Sequence, residues 1–469
     1  MYPPFFLFPL GFVIFPYFIS LISKKSYKKS FFRFFSYGFV FGFGFLIIYL
    51  SWIRNPFLVY ETTRPYKILS ILLPIFLSIF FGLGFLIYKY FKNPILIILA
   101  TPFIFVLIEF LISNFFFGFP WISNSLILSN NLFGFYIIKH FGTLTSGYLI
   151  ISIFLLPTFL LYKIKIMLSG KLILIISAPF LFFLIISTVY SFFNNNKFSK
   201  EITIDAHQIL SPINKKNAKE IEQNIINIIN NSKADYIVFG ENNFPYIIDK
   251  NNYKNLTNFI KNEKKVIIGA TTYKDGNYYN SLLLIEKNQI HFFDKKILVP
   301  FGEFLPFRKY LKFMEMISGT SDFKIGNVDR ILTTKDNIKI LPIICYEIIF
   351  DQIFKNINKK QIDILVNITN DSWFGNKIGP YQHFYISRIK SLIANKPLIR
   401  VSNNGISAII DNNGKIIKSS KLNQVSNINY KLKIYNNFSY FHFHKFFSYY
   451  LLFIFIFLLI SSRKRQNEK

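Results

Sequence analysis

The sequence predicts a multi-span α-helical membrane domain joined to a layered α/β sandwich domain. Two observations carry this prediction. Long apolar segments, each near the length needed to cross a bilayer, fill residues 1–195 of a chain that is 52% hydrophobic overall. Short apolar strands alternate with helical and turn segments over residues 196–436, where no spanning segment occurs. A last apolar run and a basic tail complete the chain at 437–469.

The composition limits the classes of function. The 60 Phe, together with abundant Ile, Asn and Lys, are typical of mutational drift in an AT-rich genome, so single aromatic runs carry little information. The formal net charge of +30 is not accompanied by a basic helix or an aromatic-interleaved RNA motif, which argues against nucleic-acid binding. The excess charge suits anionic lipid headgroups instead. A single cysteine excludes an internal disulfide and a multi-cysteine metal site.

The membrane spans are predicted from length and hydropathy. The first does not resemble a signal peptide, because it has neither a basic start nor a small-residue cleavage site. The predicted spans are approximately 4–22, 34–53, 68–88, 94–113, 144–162, 172–192 and 446–461.

Basic residues predict the orientation of these spans, since basic loops stay in the cytoplasm. They fill the first, third and fifth connections and follow the last span: Lys24 to Arg33, Lys89 and Lys92, Lys163 to Lys171, and Arg463 to Arg465. Placing all four groups inside gives seven spans, with the N-terminus outside and the C-terminus inside. Residues 196–436 then lie outside the cytoplasm, in the periplasm of a cell with two membranes.

The segment between the fourth and fifth spans has two interpretations. Gly118-Phe119-Pro120-Trp121 interrupts a hydrophobic region, and Glu109 is an acid inside or near a span, where charge is costly and often functional. One interpretation is a re-entrant loop near 114–130 that faces an active site. The other is a helix end followed by an interfacial tryptophan anchor.

The second domain is predicted to be an α/β sandwich of many strands. The helices are predicted at Ala218 to Ile229 and Tyr381 to Asn395. The predicted strands are 202–207, 235–239, 265–269, 281–285, 290–293, 338–344, 364–367, 398–402, 406–410 and 415–419.

Three polar residues follow predicted strands directly or closely: Glu241, Lys295 and Cys345. Each one alone is typical of a solvated rim, or in the case of the cysteine of a core position. Together they supply what acyl transfer to a thiol requires. A carboxylate can take the thiol proton, the thiolate can attack a carbonyl, and a fixed ammonium can stabilise the oxyanion that forms.

The sequence around these residues resembles the nitrilase superfamily, and most closely its membrane branch, the apolipoprotein N-acyltransferases. Its lysine motif has the catalytic lysine eight residues before a glutamate, which selects Lys295 over Lys296 and makes Glu303 the second acid. The matching blocks occur in the family's order: Gly118 to Trp121, Phe293 to Pro306 (FDKKILVPFGEFLP), Ile344 to Glu347 (ICYE), Asn370 to Gly375 (NDSWFG), Gly379-Pro380, Gln382 to Phe384, Arg400, and Asn403 to Gly405.

The resemblance implies a fold and an activity. The fold is an extracytoplasmic, nitrilase-like αββα sandwich. The activity is transfer of an acyl chain from a membrane phospholipid, through a cysteine thioester, to the N-terminal α-amino group of diacylglyceryl-cysteine apolipoproteins. Glu241 is implied as general base, Lys295 as oxyanion stabiliser and Cys345 as nucleophile, at the bacterial inner membrane.

Other residues are implied in supporting roles. Glu303 is expected to hold Lys295, while Tyr346 and Glu347 are expected to shape the pocket beside the thiol; packing and a solvated rim are the alternatives for the last two. Trp373 is either a lid or a core residue. Two features depart from the family pattern. Gly240 stands where a proline usually precedes the glutamate, and seven spans are predicted where the family usually has eight.

Two other functions stay open at this stage. A membrane-tethered nitrilase-type amidase would use the same three residues but release its product to water. A transporter or scaffold would leave the Glu, Lys and Cys positions unexplained, and the sequence has no visible internal repeat. The histidines His207, His291 and His383 have no metal-binding spacing, so we expect no metal and no cofactor.

Overall fold

The computed structural model describes residues 1–23, 30–91, 93–161, 185, 189, 198–212, 217–253, 263–327, 330–357, 361–436, 439 and 441–467. Contacts divide the chain into two compact units. The helical unit comprises Met1–Ser51, Ser70–Lys197 and Tyr440–Lys469, and the sandwich unit comprises Trp52–Leu69 and Phe198–Ser439. The domain boundaries at 195 and 436 stay a prediction.

The α-helices of the described residues are α1 (Gly11–Ser23), α2 (Phe31–Tyr49), α3 (Pro56–Val59), α4 (Leu72–Leu86), α5 (Pro94–Asn114), α6 (Leu132–Phe154), α7 (Leu156–Leu161), α8 (Ala218–Asn231), α9 (Glu315–Ser318), α10 (Ile378–Ala394) and α11 (Phe441–Asn467).

Among the described residues, four helical stretches are long and apolar enough to cross a membrane: Phe31–Tyr49, Glu61–Tyr90, Pro94–Asn114 and Leu132–Thr158. They overlap four of the predicted spans. The predicted spans at 4–22 and 446–461 overlap shorter apolar helices, Phe8–Ser23 and His444–Phe457. The predicted span at 172–192 lies outside the described residues except at 185 and 189, so the count of seven stays a prediction.

Helices α2 and α4 approach each other closely through two glycines. A Cβ atom on Gly38 would lie 2.3 Å from the backbone oxygen of Phe81, and one on Gly42 would lie 2.7 Å from the Cβ of the same residue. Glycines four residues apart share one face of a helix and let the neighbouring backbone come near, which is how membrane helices gain packing contacts without a hydrophobic driving force.

The segment after α5 is held by a buried carboxylate. Glu109 is 3% exposed and accepts hydrogen bonds from Ser123 Oγ at 2.8 Å and from Asn124 through its backbone N at 2.9 Å and its Nδ2 at 2.8 Å. Trp121 is fully buried within the protein, which contradicts its interpretation as an exposed interfacial anchor. Glu109 therefore fixes this segment, while its re-entrant character stays a prediction.

Over its described residues, the sandwich unit contains two mixed sheets. The strands are β1 (Phe198–Gln208), β2 (Tyr236–Phe239), β3 (Ile248–Asp249), β4 (Lys265–Lys274), β5 (Asn277–Glu286), β6 (Gln289–Asp294), β7 (Leu332–Thr333), β8 (Lys339–Ile344), β9 (Ile364–Thr369), β10 (Leu398–Ser402), β11 (Ala408–Ile410), β12 (Ile416–Ser419) and β13 (Ser426–Tyr435).

The two sheets pack against each other, and a helix covers the outer face of the first sheet. The first sheet has the order β13-β1-β2-β4-β5-β6, with β3 paired to β4, and the second has the order β12-β11-β10-β9-β8-β7. Contacts between β1 and β10 and between β5 and β8 join the sheets. Helix α8 covers the outer face of the first sheet by packing Ile225 and Ile229 on strand residues such as Ile237 and Phe239. The predicted layered α/β sandwich is confirmed.

We predict that Gly38→Val weakens the packing of α2 on α4. The added side chain collides with backbone atoms that cannot move aside, and overpacking of this kind typically costs roughly 1–3 kcal/mol. The matched control is Gly44→Val on the same helix, because a Cβ atom there meets nothing within 4 Å. Thermal unfolding of the purified variants in detergent measures the effect, and equal stability of the two variants would contradict the prediction.

Candidate active site

The three predicted residues lie at strand ends and come together in the structure. Lys295 and Cys345 directly follow β6 and β8, while Glu241 stands two residues after β2. The first sheet thus supplies the carboxylate and the ammonium, and the second sheet supplies the thiol. All three are buried, with exposed fractions of 7% for Glu241, 1% for Lys295 and 5% for Cys345.

Two carboxylates surround the Lys295 ammonium. Its Nζ lies 2.9 Å from Glu303 Oε1 and 3.7 Å from Glu241 Oε1. Asn280, on β5, donates from Nδ2 to the same two oxygens, at 2.8 Å to Glu241 and 2.7 Å to Glu303. Neighbouring Lys296 is half-buried and contributes its backbone N–H to Glu347. The eight-residue spacing therefore selected the lysine that points into the cluster.

Burial and neighbouring charge set the protonation of this cluster. Burial raises the pKa of Glu241 above its ordinary value, although the Lys295 ammonium and a hydrogen bond from the Cys345 thiol oppose the rise. The pKa of Lys295 is raised as well, because the two carboxylates outweigh the effect of burial. Burial, followed by the charge of Glu241, raises the pKa of the Cys345 thiol. The thiol is therefore protonated at neutral pH and needs a base to react.

Cys345 adopts a strained backbone conformation. Its φ of +50° lies in the left-handed region, which costs free energy for a residue with a Cβ atom. The residue opens a short 3₁₀ turn, Cys345–Ile349, directly after β8. Such a sharp turn after a buried strand holds the side chain at the edge of the sheet, as the turns that carry nucleophiles do in other enzymes.

Glu347 fixes this turn, which we call the cysteine turn, to the lysine loop, which comprises residues 295–303 after β6. It is fully buried, and its carboxylate accepts backbone hydrogen bonds from Ile344, Lys296 and Ile297 at 2.8–3.1 Å. Arg330 binds the same carboxylate through both terminal nitrogens, at 2.7 and 2.9 Å. The solvated-rim alternative for Glu347 is therefore wrong.

Tyr346 is also buried, at 6% exposure, and packs its ring edge-on against Phe350. Burial raises the pKa of its hydroxyl, so this side chain is neutral. Its solvated-rim alternative is wrong as well.

The turn that carries Glu241 explains the glycine before it. The backbone N–H of Gly240 donates to Asn243 Oδ1 at 2.7 Å, and Asn243 Nδ2 donates to Asn403 Oδ1 at 3.0 Å. Proline has no N–H and could not make the first bond. In this chain Asn243 orients the turn through a side-chain hydrogen bond.

A buried network holds the other side of Glu241. The backbone N–H of Asn370, directly after β9, donates to Glu241 Oε2 at 2.8 Å. The next residue, Asp371, accepts from Arg400 Nη2 at 2.8 Å and pairs with His383 Nδ1 at 2.9 Å. All three side chains are fully buried. Burial would raise the pKa of Asp371, but the positive charge of Arg400 outweighs it and keeps the pKa below its ordinary value.

Two contributors to the site were not predicted from the sequence. Asn280 bridges the two carboxylates, and Arg330 neutralises Glu347. An asparagine in a strand and a lone arginine in a loop carry no motif of their own. His383 belongs to the network around Asp371, and no group of three or more His, Cys, Asp and Glu with metal-binding geometry occurs in the part of the chain that the structure describes.

Comparison with known families matches both halves of the chain. The model of the carbon-nitrogen hydrolase family matches residues 207–428, and that of the apolipoprotein N-acyltransferase N-terminal domain matches residues 1–156.

Individual relatives give the same result over different lengths. The apolipoprotein N-acyltransferase of Rickettsia bellii is 30% identical over 419 residues, covering 83% of this chain and 81% of that one. That of Rhizobium rhizogenes is 30% identical over 431 residues, covering 83% and 78%. The Rickettsia typhi enzyme is 45% identical over 152 residues, so this chain spans 30% of that relative's length in the match.

We predict that Arg330→Met destabilises the protein by about 3–5 kcal/mol at neutral pH, because it leaves the Glu347 carboxylate buried without its cation. Burial would raise the pKa of Glu347, but Arg330 outweighs burial and keeps it below the ordinary value. That stabilisation is present above the unfolded-state pKa and is lost as the pH falls through the folded-state pKa. The difference in the free energy of unfolding between parent and variant should therefore become smaller in acid, as measured by unfolding with denaturant.

The control for this prediction is the double variant Arg330→Met, Glu347→Gln. It removes both charges and should recover part of the loss, since no unpaired charge remains buried. A single variant within about 1 kcal/mol of the parent at neutral pH would contradict the role of Arg330, since exposed ion pairs contribute only this much.

Proposed function

Because the chain belongs to the apolipoprotein N-acyltransferase family, we propose that it transfers an acyl chain from a membrane phospholipid to the N-terminal α-amino group of diacylglyceryl-cysteine apolipoproteins. The observation that carries the proposal is the buried cluster of Glu241, Lys295 and Cys345 in a family of acyltransferases. The match to the family's N-terminal domain favours this activity over a tethered amidase.

The first half of the reaction forms a thioester. Glu241 accepts the proton of the Cys345 thiol, and the sulfur attacks the ester carbonyl carbon of the phospholipid. The Lys295 ammonium stabilises the oxyanion of the tetrahedral intermediate. The ester C–O bond then breaks, and the proton on Glu241 passes to the leaving alkoxide of the lysophospholipid. The raised pKa of Glu241 makes it both a competent base and a competent acid in turn.

The second half transfers the acyl chain to the amine. The neutral α-amino group attacks the thioester carbon, and Lys295 again stabilises the oxyanion. As the C–S bond breaks, Glu241 takes a proton from the nitrogen and returns it to the sulfur. The products are an amide and a free thiol, so the enzyme is regenerated without a cofactor.

Supporting residues keep this geometry fixed. Glu303 positions the ammonium, and its Oε2 accepts the backbone N–H of Val299 at 2.8 Å, which closes the lysine loop around it. Asn280 binds both carboxylates through its Nδ2. Glu347 joins the lysine loop to the cysteine turn, and Tyr346 lines the thiol side with a neutral ring.

The chain is a membrane protein by its apolar helices and its family. We propose that it lies in the bacterial inner membrane with the sandwich unit in the periplasm. The basic loops support this orientation. The connection between α2 and α4 supports it as well, because residues 52–69 belong to the sandwich unit and the basic-loop rule also assigns them to the outer side.

Thioester trapping tests the proposed chemistry. With phospholipid and no acceptor, Cys345 should accumulate an acyl group that hydroxylamine removes. Cys345→Ala should retain no acyl group, because the chain has no other cysteine. Cys345→Ser is a poorer nucleophile at neutral pH and should acylate far more slowly. Label that persists on Cys345→Ala would refute the assignment of the nucleophile.

A second prediction separates Lys295 from Lys296. Lys295→Ala should slow thioester formation by about 10²–10³-fold, as loss of an oxyanion donor does in other enzymes. Lys295→Arg should be nearly as slow, since a planar guanidinium does not fit the place of a compact ammonium. Lys296→Ala is the matched control and should retain most of the rate. An inactive Lys296→Ala beside an active Lys295→Ala would overturn the assignment of the lysine.

A further inference from the structure

A segment from the first half of the sequence is part of the sandwich unit. Residues Trp52–Leu69 connect α2 to α4 in the chain, yet they group with Phe198–Ser439. We call this segment the 52–69 strap. It contains α3 and the 3₁₀ turns on either side of it, and it contacts the turn Asp371–Phe374 that follows β9.

Two strap residues bind the far end of this turn. Asn55 Nδ2 donates to the backbone oxygen of Phe374 at 2.9 Å. Trp52 Nε1 donates to Gln382 Oε1 at 3.1 Å, and its ring lies edge-on to Phe374 with centroids 4.9 Å apart. Trp52 is 7% exposed and Gln382 is fully buried. The strap is therefore packed closely against this turn and Gln382, and hydrogen bonds in such buried contacts hold their partners in place.

Two glycines make the close approach of the strap possible. A Cβ atom on Gly375 would lie 2.2 Å from Asn55 Nδ2, and one on Gly379 would lie 2.9 Å from Trp52 Cγ. Gly375 also has a φ of +72°, which favours glycine on its own. The backbone after the turn therefore has no side chain at either place where the strap contacts it.

The turn that the strap binds also holds Glu241. Its first end carries Asn370, whose N–H donates to Glu241 Oε2, and its last residue is Phe374, which the strap holds. The Phe374 ring in turn lies edge-on to His383 at 5.2 Å. Gln382 lies on α10, and this helix packs against the turn that begins at Cys345. The strap thus contacts the turn that holds Glu241 and the helix that packs against the turn of Cys345.

We propose that Trp52 and Asn55 are positioning residues for Glu241, so that a loop from the membrane half of the sequence completes the acylation site. The proposal deepens the proposed function and rests on it. A backbone N–H donated to a carboxylate favours its ionised form, so a relaxed turn would raise the pKa of Glu241 and reduce its ionised fraction at neutral pH. The titratable groups that face Glu241 are Lys295, Glu303 and the Cys345 thiol, Asn280 also donates to it, and the strap variants change none of these residues.

The test uses the full-length protein in lipid or detergent. Asn55→Ala removes the hydrogen bond to Phe374, and Trp52→Phe keeps a ring beside Phe374 but removes the N–H. We expect thioester formation from phospholipid to slow roughly 10–100-fold, as small misplacements of reacting groups do. The acid limb of the pH profile should move upward, while the KM for phospholipid stays unchanged. Arg64→Ala is the control in the same strap, because its ion pair is with Glu61 of the strap itself.

A double-variant comparison separates positioning from loss of stability. If Asn55 acts through Glu241, Asn55→Ala should add little in a Glu241→Gln background. An equal fractional loss in both backgrounds, or an unchanged rate and pH profile in the single variants, would overturn the proposal. Thermal unfolding of each variant gives its folded fraction, and the measured rates are normalised to that fraction.

Alkylation of Cys345 by iodoacetamide gives a readout without lipid, since the chain has one cysteine. Its pH dependence should shift upward in Asn55→Ala and stay unchanged in Arg64→Ala. If the parent protein forms no acyl thioester, the proposed function fails while this comparison still tests the strap. An unchanged alkylation profile in Asn55→Ala would overturn the positioning role even where acylation occurs.

Discussion

The site depends on the ion pairs that the buried Lys295 ammonium makes with two carboxylates. An ion in the protein interior loses its hydration, and only close opposite charges compensate for that loss. Glu303 and Glu241 supply these charges, with carboxylate oxygens 2.9 and 3.7 Å from Lys295 Nζ, and Asn280 on β5 binds both carboxylates. The arrangement satisfies the ammonium while leaving Glu241 with the raised pKa that a base near neutral pH requires.

The loops around this charge are held by buried carboxylates that accept backbone N–H groups. Glu347 joins the lysine loop to the cysteine turn, and Glu303 closes the lysine loop on itself. On the other side, Asp371 with Arg400 and His383 fixes the turn whose N–H binds Glu241. Loops of irregular conformation thereby gain the fixed geometry that acyl transfer requires, and the backbone strain at Cys345 is held within them.

The parts that could be predicted from the sequence are those with local signals. The strand ends indicated Glu241, Lys295 and Cys345, and the spacing to Glu303 selected the lysine that pairs with this glutamate. Strand β13 was missed, although Ile428, Leu432 and Ile434 alternate inward, because Asn and Lys between them hid the pattern. Asn280, Arg330 and the strap residue Trp52 could not be found, since each acts on a partner at least 17 residues away in the chain through folding alone.

We propose that this chain N-acylates apolipoproteins through Cys345. The most direct measurement is mass spectrometry of lipoprotein N-terminal peptides from bacteria whose own apolipoprotein N-acyltransferase is replaced by this chain. We expect an amide-linked acyl chain on the N-terminal cysteine with the parent protein, and a free amine with an equally abundant Cys345→Ala. A free amine with both, at matched levels of folded protein, would contradict it.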